Sequence, residues 1–340
     1  MSIKQNYKQM KKILNQLFEQ QKLSEKDAYS ILLRIGKGEF NPAQIAAFLT
    51  VYLMRKISVN ELKGFQKALL DLCIPIDLSD FNTIDLCGTG GDGKNTFNIS
   101  TLSSFVVAGA GYKVAKHGNY GVSSSCGSSN VLEYLGYTFT NDNETLKRQL
   151  DTANFCMMHA PLFHPAMKNV APIRRELGVK TFFNMLGPIV NPSFPKNQLT
   201  GVFNLEIARI YNYLLQDSNK NYTILHSLDG YDEISLTGDF KVISSVNGEE
   251  LLAPHNIGFQ KITANSIYGG ETIADAAKIF VNILQNKGTE AQNNVVIANA
   301  SYAIKTIDSA LSYEDCKEIA KRSIIEGKAY KALKKVTEIK

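Results

Sequence analysis

The stretch Asp85-Leu-Cys-Gly88-Thr-Gly90-Gly91-Asp92-Gly93-Lys-Asn-Thr96-Phe-Asn98-Ile99-Ser100-Thr101 decides the fold of this chain. After an apolar run it is followed by Lys116-His117-Gly118-Asn119-Tyr120-Gly121-Val122-Ser123-Ser124-Ser-Cys-Gly127-Ser128-Ser129. Each half is a glycine- and hydroxyl-rich turn placed after a short strand-like run and before a helix-like one. Glycines without Cβ let backbone N–H groups converge on one concavity, and a helix starting near Ser100 adds partial positive charge there. Lys116 offers a cation, and Ser123, Ser124, Ser128 and Ser129 offer hydroxyls. Phosphate oxygens need many such donors. One turn of this kind is accounted for by tight strand-to-helix geometry; two in succession, each beyond a strand's carboxyl end, point to an anion site.

Two familiar templates fit the first turn formally. Gly88, Gly90 and Gly93 satisfy the dinucleotide fingerprint, which also wants an acidic residue about 20 positions on. That region reads Tyr112-Lys113-Val114-Ala115-Lys116 and is basic, which argues against a dinucleotide. Gly88 to Lys94 also match the opening of a Walker A loop. Asn95 stands where that loop needs a Ser or Thr for magnesium, which weakens an ATPase reading.

Working outward, residues 83–87 then 100–110, and 112–115 then 128–135, alternate strand and helix, and residues 155–159 and 222–227 supply later strands. This is an α/β pattern. The first 70 or so residues differ. Ser24 with Asp27, Asn41 with Pro42, and Ser58 with Glu61 mark three helix starts. Tyr7, Met10, Ile13, Leu14, Leu17 and Phe18 repeat at helical spacing, a stripe expected to be core. With 340 residues, 44% hydrophobic, the chain has enough apolar material for one large core or two smaller ones. No apolar run approaches the roughly 18 residues of a membrane span. The start lacks a signal-peptide core, so a cytoplasmic protein with no membrane partner is expected. The net charge of +5 suits anionic small molecules and does not amount to a nucleic-acid stripe. Five cysteines with no C-x-x-C pair argue against a disulfide framework or a zinc knuckle, and Cys87 and Cys126 are expected to pack rather than react. The histidines show no zinc-ligand spacing.

Gly-Thr-Gly-Gly-Asp-Gly, Asn-Ile-Ser-Thr and Lys-His-Gly-Asn together resemble the anthranilate phosphoribosyltransferases, of the nucleoside phosphorylase and phosphoribosyltransferase superfamily. The likeness extends over nearly the whole chain. It includes His164-Pro165-Ala166-Met167-Lys168, Pro172 to Gly178, Asn184 to Pro192, and Asp229-Gly230-Tyr231-Asp232-Glu233. It implies an α/β fold: a small helical N-terminal domain, residues 1–75, completed by helices from about 170–195, and a larger domain, residues 76–340, with a central, mostly parallel sheet flanked by helices. It also implies a homodimer contact through the helical domain and an active site in the cleft between the two domains.

The implied reaction sets chemical requirements. Breaking the bond from ribose C1 to diphosphate develops positive charge on the sugar and negative charge on the leaving group, which must be neutralised. Mg²⁺ is the expected agent, held by one or two carboxylates plus phosphate oxygens. By the resemblance its protein ligands are Asp232, Glu233 and the Ser100 hydroxyl; their plain roles are solvated carboxylates on a turn and a helix N-cap. Phosphoribosyl diphosphate falls to Gly88, Gly91, Asp92, Thr96, Asn98, Ile99, Ser100 and Thr101 in the first turn. In the second it falls to Lys116, His117, Gly118, Asn119, Tyr120, Gly121, Val122, Ser123, Ser124 and Ser128. An aromatic amine bearing a carboxylate calls for a planar cation, assigned to Arg174 because a guanidinium binds a carboxylate bidentately. Gly88, Asn119, His117, His164, Gly187 and Pro188 complete the acceptor pocket.

His117 is the candidate general base, yet an anilinic nitrogen keeps its lone pair at neutral pH and His117 suits shaping the pocket equally well. One departure stands out: many relatives carry an Arg and a small residue after Lys-His-Gly-Asn, whereas this chain has Tyr120-Gly121. Two other readings stay open from the residues, a pyrimidine nucleoside phosphorylase and a non-catalytic nucleic-acid-binding paralogue of the same fold.

Overall fold

The computed structural model describes residues 3–121 and 126–339. Val122, Ser123 and Ser124, expected to hold phosphate, lie outside the described residues. In chain order, α1 (Ile3–Phe18), α2 (Glu25–Gly36), α3 (Pro42–Met54) and α4 (Val59–Leu72) lead to β1 (Thr83–Leu86), α5 (Ile99–Gly109), β2 (Lys113–Gly118), α6 (Ser128–Tyr134), α7 (Asn143–Ala153) and β3 (Phe155–His159). Then come α8 (Ala160–Phe163), α9 (Ala171–Leu177), β4 (Asn197–Gly201), α10 (Leu205–Leu215), β5 (Asn221–Ser227), β6 (Phe240–Ser244) and β7 (Gly248–Leu252). Four helices close the chain: α11 (Ile273–Leu284), α12 (Glu290–Ile307), α13 (Tyr313–Ile325) and α14 (Lys328–Thr337). No described helix is long and apolar enough to cross a membrane.

The residues divide into two compact units, Met1–Pro75 with Pro161–Pro192, and Ile76–Ala160 with Ser193–Lys340. The returning segment begins at Pro161 rather than at about 170. Its attachment is physical. Ile74 N–H donates to Phe163 O at 2.8 Å, and the Phe182 ring stacks on Phe65 at 4.6 Å with Phe48 edge-on at 6.0 Å. Aromatic pairs of this geometry add to the burial of their area.

In the helical unit the start signals act as local chemistry requires. The Ser24 side chain accepts from Asp27 N–H, Asn41 from Gln44 N–H ahead of Pro42, and Ser58 and Glu61 form a reciprocal capping box. Met10, Ile13 and Leu17 of the α1 stripe are buried, but Phe18 is 57% exposed. Phe18 follows Leu17 directly, and a step of one residue rotates the side chain about 100° away from the buried face.

The α/β unit is built on a seven-stranded sheet in the order β3-β2-β1-β4-β5-β6-β7. Strands β1 to β5 pair in parallel and the β6–β7 hairpin closes one edge antiparallel. Phe105 of α5 stacks on Phe155 of β3 at 4.3 Å and meets Phe280 of α11 edge-on at 5.9 Å. From β1 the chain steps outward to β2 and β3, then returns to β4 on the other side of β1. That reversal is the topological switch point, where open α/β sheets place their ligands.

Candidate active site

Beyond the carboxyl end of β1 the backbone keeps pairing with β4: Cys87 N–H donates to Leu199 O at 3.1 Å and Thr89 N–H to Gly201 O at 2.9 Å. The first turn then needs its glycines. Gly90, Gly91 and Gly93 have φ of +60°, +75° and +75°, a region costly for residues with a Cβ. Gly88 is needed for space, since a Cβ there would lie 2.7 Å from Asp232 Oδ2. Sequence reasoning missed Gly201, where a Cβ would overlap the Asp232 carbonyl oxygen. Its only sequence signal is a glycine closing a strand. Asn95, at the position where a Walker loop needs a hydroxyl, ties the turn down instead: its Nδ2 donates to Gly270 O at 2.9 Å and its carbonyl accepts from Gly269 N–H at 2.8 Å.

Asp232 and Glu233 meet this turn. Gly90 N–H donates to Asp232 Oδ2 at 2.7 Å and Ser100 N–H to Glu233 Oε1 at 2.8 Å. Ser100 is not the N-cap. Asn98 holds that position without a side-chain cap bond, sending Nδ2 to Cys126 O at 2.9 Å, so the orphan donors of α5 are left for an acidic partner. Burial, and then the charge of Asp92, push the Asp232 carboxyl up to about 7 despite the Gly90 hydrogen bond. Glu233 is raised well above the usual range by burial first, then by Asp232 and Asp92. Three carboxylates thus crowd one turn, with Lys116 opposing them.

Lys116 is corrected in its placement. It belongs to β2 rather than to the turn, is 2% exposed, and its ammonium donates to Leu86 O. The strand runs to Gly118 because β3 pairs with it that far, His117 with Met158 and Gly118 with His159, while on the β1 side, where β1 has ended, Asp85 Oδ1 accepts from His117 N–H at 2.9 Å. His117 is 3% exposed. The second turn proper is Asn119 to Gly121, folded onto α6: Asn119 O accepts from Ser129 N–H at 3.1 Å and from Ser128 Oγ at 3.2 Å, and Asn130 Oδ1 accepts from Gly121 and Gly127 N–H at 2.9 and 3.0 Å. Tyr120 puts its hydroxyl on Glu133 Oε1 at 3.2 Å and its ring edge-on to His159 at 4.9 Å. Ile99 and Thr101 are buried in α5, and Thr96 bridges to Tyr268. Cys87 and Cys126 are buried free thiols, and burial raises both, Cys87 to about 12, so neither is a nucleophile at neutral pH.

The loop carrying the acidic pair is pinned by residues that sequence reasoning missed. Ser227 Oγ donates to Glu233 O at 2.6 Å, and Asn299 Oδ1 accepts from Ile234 N–H at 3.0 Å while its Nδ2 donates to Ile234 O at 2.8 Å. No local pattern announces contacts that span 65 residues.

The helical unit assembles a second group. Arg174 on α9 donates from Nη2 to Asn184 Oδ1 at 3.1 Å, and its guanidinium lies 5.3 Å from the Phe183 ring centroid. Asn184 Oδ1 also accepts from Thr181 N–H at 3.2 Å, which orients the amide that orients the arginine. Gly187 faces open space where a Cβ would stand, and Pro188 beside it is buried. Burial lowers His164 to about 4, so its imidazole is neutral near pH 7. A planar cation, an aromatic face and a neutral imidazole are the parts a planar carboxylate ligand uses.

Fold and site together define a phosphate-handling α/β transferase with a helical companion domain. Residues 80–330 match the Glycosyl transferase family a/b domain, and residues 11–73 match that family's helical bundle domain. The anthranilate phosphoribosyltransferases of Flavobacterium psychrophilum and Flavobacterium johnsoniae are 62% and 61% identical to it over 97% of this chain and 99% of theirs. Among solved structures, anthranilate phosphoribosyltransferase from Thermus thermophilus has a TM-score of 0.89 at 29% identity, covering 96% of this chain and 98% of that one. The Saccharomyces cerevisiae enzyme, in complex with PRPP and Mg, has a TM-score of 0.88 at 25% identity, covering 97% of each. The chain belongs to the glycosyl transferase family, within it to the anthranilate phosphoribosyltransferases.

Proposed function

We propose that this chain transfers the 5-phosphoribosyl group of phosphoribosyl diphosphate to the amine of anthranilate, releasing diphosphate in a step of tryptophan biosynthesis. The observation that carries the reading is the Asp232-Glu233 pair held by the Gly90 and Ser100 amides at the switch point of the sheet. The donor set fits magnesium: these are hard carboxylate oxygens at a site with too much negative charge to take a diphosphate unaided. No cluster of three or more His, Cys, Asp or Glu side chains able to hold a metal by itself occurs among the described residues. Magnesium is ordinarily held by one or two carboxylates, with phosphate oxygens and waters completing its shell. Asp232, Glu233 and the Ser100 hydroxyl are the proposed ligands, and the ion supplies neutralisation of the leaving diphosphate.

The chain's own groups do the rest. Backbone amides of the glycine turn and the donors of the Asn119 to Ser128 segment bind the phosphates. Arg174 receives the anthranilate carboxylate, and Gly187 leaves room beside it. The C1–O bond breaks as the amine nitrogen bonds to C1 from the opposite face, so the configuration inverts, and the amine proton passes to solvent. With the nitrogen lone pair already free, His117, buried on β2, need not remove a proton beforehand. The helical unit pairs two chains in a homodimer; exposed Phe18, Leu53 and Met54 on the mutually packed α1 and α3 support that contact.

Mixing the protein with anthranilate, phosphoribosyl diphosphate and Mg²⁺ should abolish anthranilate fluorescence with time. No loss at any magnesium concentration overturns the reading. Arg174→Ala should raise the anthranilate KM by about 10-fold or more, the size of a lost charged hydrogen bond, with little change in the donor KM.

A further inference from the structure

We infer that Asn299 is a positioning residue for the cation-binding carboxylates, acting through the backbone that carries them. This rests on the proposed role of Asp232 and Glu233. Asn299 is 2% exposed on α12 and is the only polar side chain between Val295 and Ala300. Its amide is fully used: Oδ1 accepts from Ile234 N–H at 3.0 Å, and Nδ2 donates to Ile234 O and Val295 O, both at 2.8 Å. A side-chain amide that pairs with both polar groups of one residue fixes that residue as a neighbouring strand would.

Ile234 follows Glu233 directly. On the other side, Ser227 Oγ donates to Glu233 O at 2.6 Å and accepts from Ser235 N–H at 3.2 Å. The backbone at Glu233 and Ile234 is therefore held from β5 and α12, leaving the Glu233 carboxylate to the Ser100 N–H. α12 also sets the partner helix, since Ser103 Oγ of α5 donates to Val296 O at 3.3 Å. One helix thus registers both the backbone under Glu233 and the helix start that meets its side chain. The residue type follows from this. An aspartate would add a negative charge beside Asp232 and Glu233 and leave Ile234 O without its donor, and an alanine would leave both groups of a buried peptide unpaired. Groups that orient metal-binding side chains typically cost 10- to 100-fold in metal affinity when lost.

The test is Mn²⁺ binding to the full chain with phosphoribosyl diphosphate present, read from the free-ion EPR signal against a protein-free control. Thermal unfolding, the Mg²⁺ requirement and the anthranilate KM are measured alongside. Asn299→Ala and, independently, Ser227→Ala should weaken Mn²⁺ binding and raise the Mg²⁺ requirement by about 10-fold or more. Both should fold and keep the anthranilate KM within about twofold of the wild type, since Arg174 and its neighbours are untouched. If the wild-type chain binds no Mn²⁺ or transfers nothing, the proposed function fails. If the wild type does both, the inference is overturned by folded variants with unchanged Mn²⁺ affinity, by an equal loss toward Mn²⁺ and anthranilate, or by both variants failing to fold.

Discussion

Asp232 carries the sharpest residue-scale tension. Its carboxyl is pushed up to about 7 from an ordinary 3.8, first by burial and second by the charge of Asp92. The sign follows from proton linkage. With a raised folded value, the contribution to stability is full below about pH 4, falls as the unfolded chain ionises first, and reaches its full deficit above about pH 7. Asp232→Asn should therefore raise the thermal midpoint of the metal-free protein clearly at about pH 8 and much less at about pH 5. Equal shifts at both values would remove the electrostatic account. The need for glycine at Gly90 and Gly93 was legible from the chain, but the plain reading of Asp232 and Glu233 as solvated turn carboxylates was not right, since burial pushes both carboxyls up, and only the family resemblance singled them out. Gly201, Ser227 and Asn299 were not legible. A glycine under a crossing loop and an asparagine inside a buried helix carry no local signature, because the atoms that require them belong to distant parts of the chain.

Elements repeat this division. Helix starts were legible because an N-cap acts over three residues: Ser24, Asn41 and Ser58 each accept the amide that spacing predicts. At α5 the same rule failed. Ser100 looks like a cap, yet its amide goes to Glu233 Oε1, a carboxylate 133 positions away. Glu61 shows how far a cap can be absorbed into a core. It is fully buried, pairs with Arg55, and accepts from Leu23 N–H at 3.0 Å and Tyr52 OH at 3.1 Å besides its capping bonds. Burial pushes its carboxyl up, but the bonds from Arg55, Leu23 and Ser58 outweigh this and hold it below the usual value. Glu61→Ala should cost about 3–5 kcal/mol, the usual result of stranding one member of a buried ion pair, seen as a lowered midpoint of chemical unfolding. A loss under about 1 kcal/mol, the value of an exposed pair, would show that Arg55 finds solvent.

At the scale of the whole molecule, a homodimer through the helical unit predicts a sedimentation mass of twice 37.6 kDa. Placing a charge at Met54, 80% exposed on α3, should shift the population to monomer, because burying an unpaired charge in an interface is costly. A wild-type chain that sediments as a monomer at micromolar concentration would remove this assembly. The sequence by itself determined the alternation of strand and helix, the helical N-terminal part and the glycine requirement of the first turn, since periodicity, caps and glycine requirements act within a few residues, while the parallel pairing was implied by the family resemblance. Only the tertiary structure decided that the returning segment begins at Pro161, that Lys116 lies buried within β2 instead of in the turn, and that Ser227 and Asn299 secure the acidic loop. Those outcomes depend on which buried polar groups and aromatic rings find partners, from six residues away for Ser227 to 65 for Asn299, and that is settled by packing.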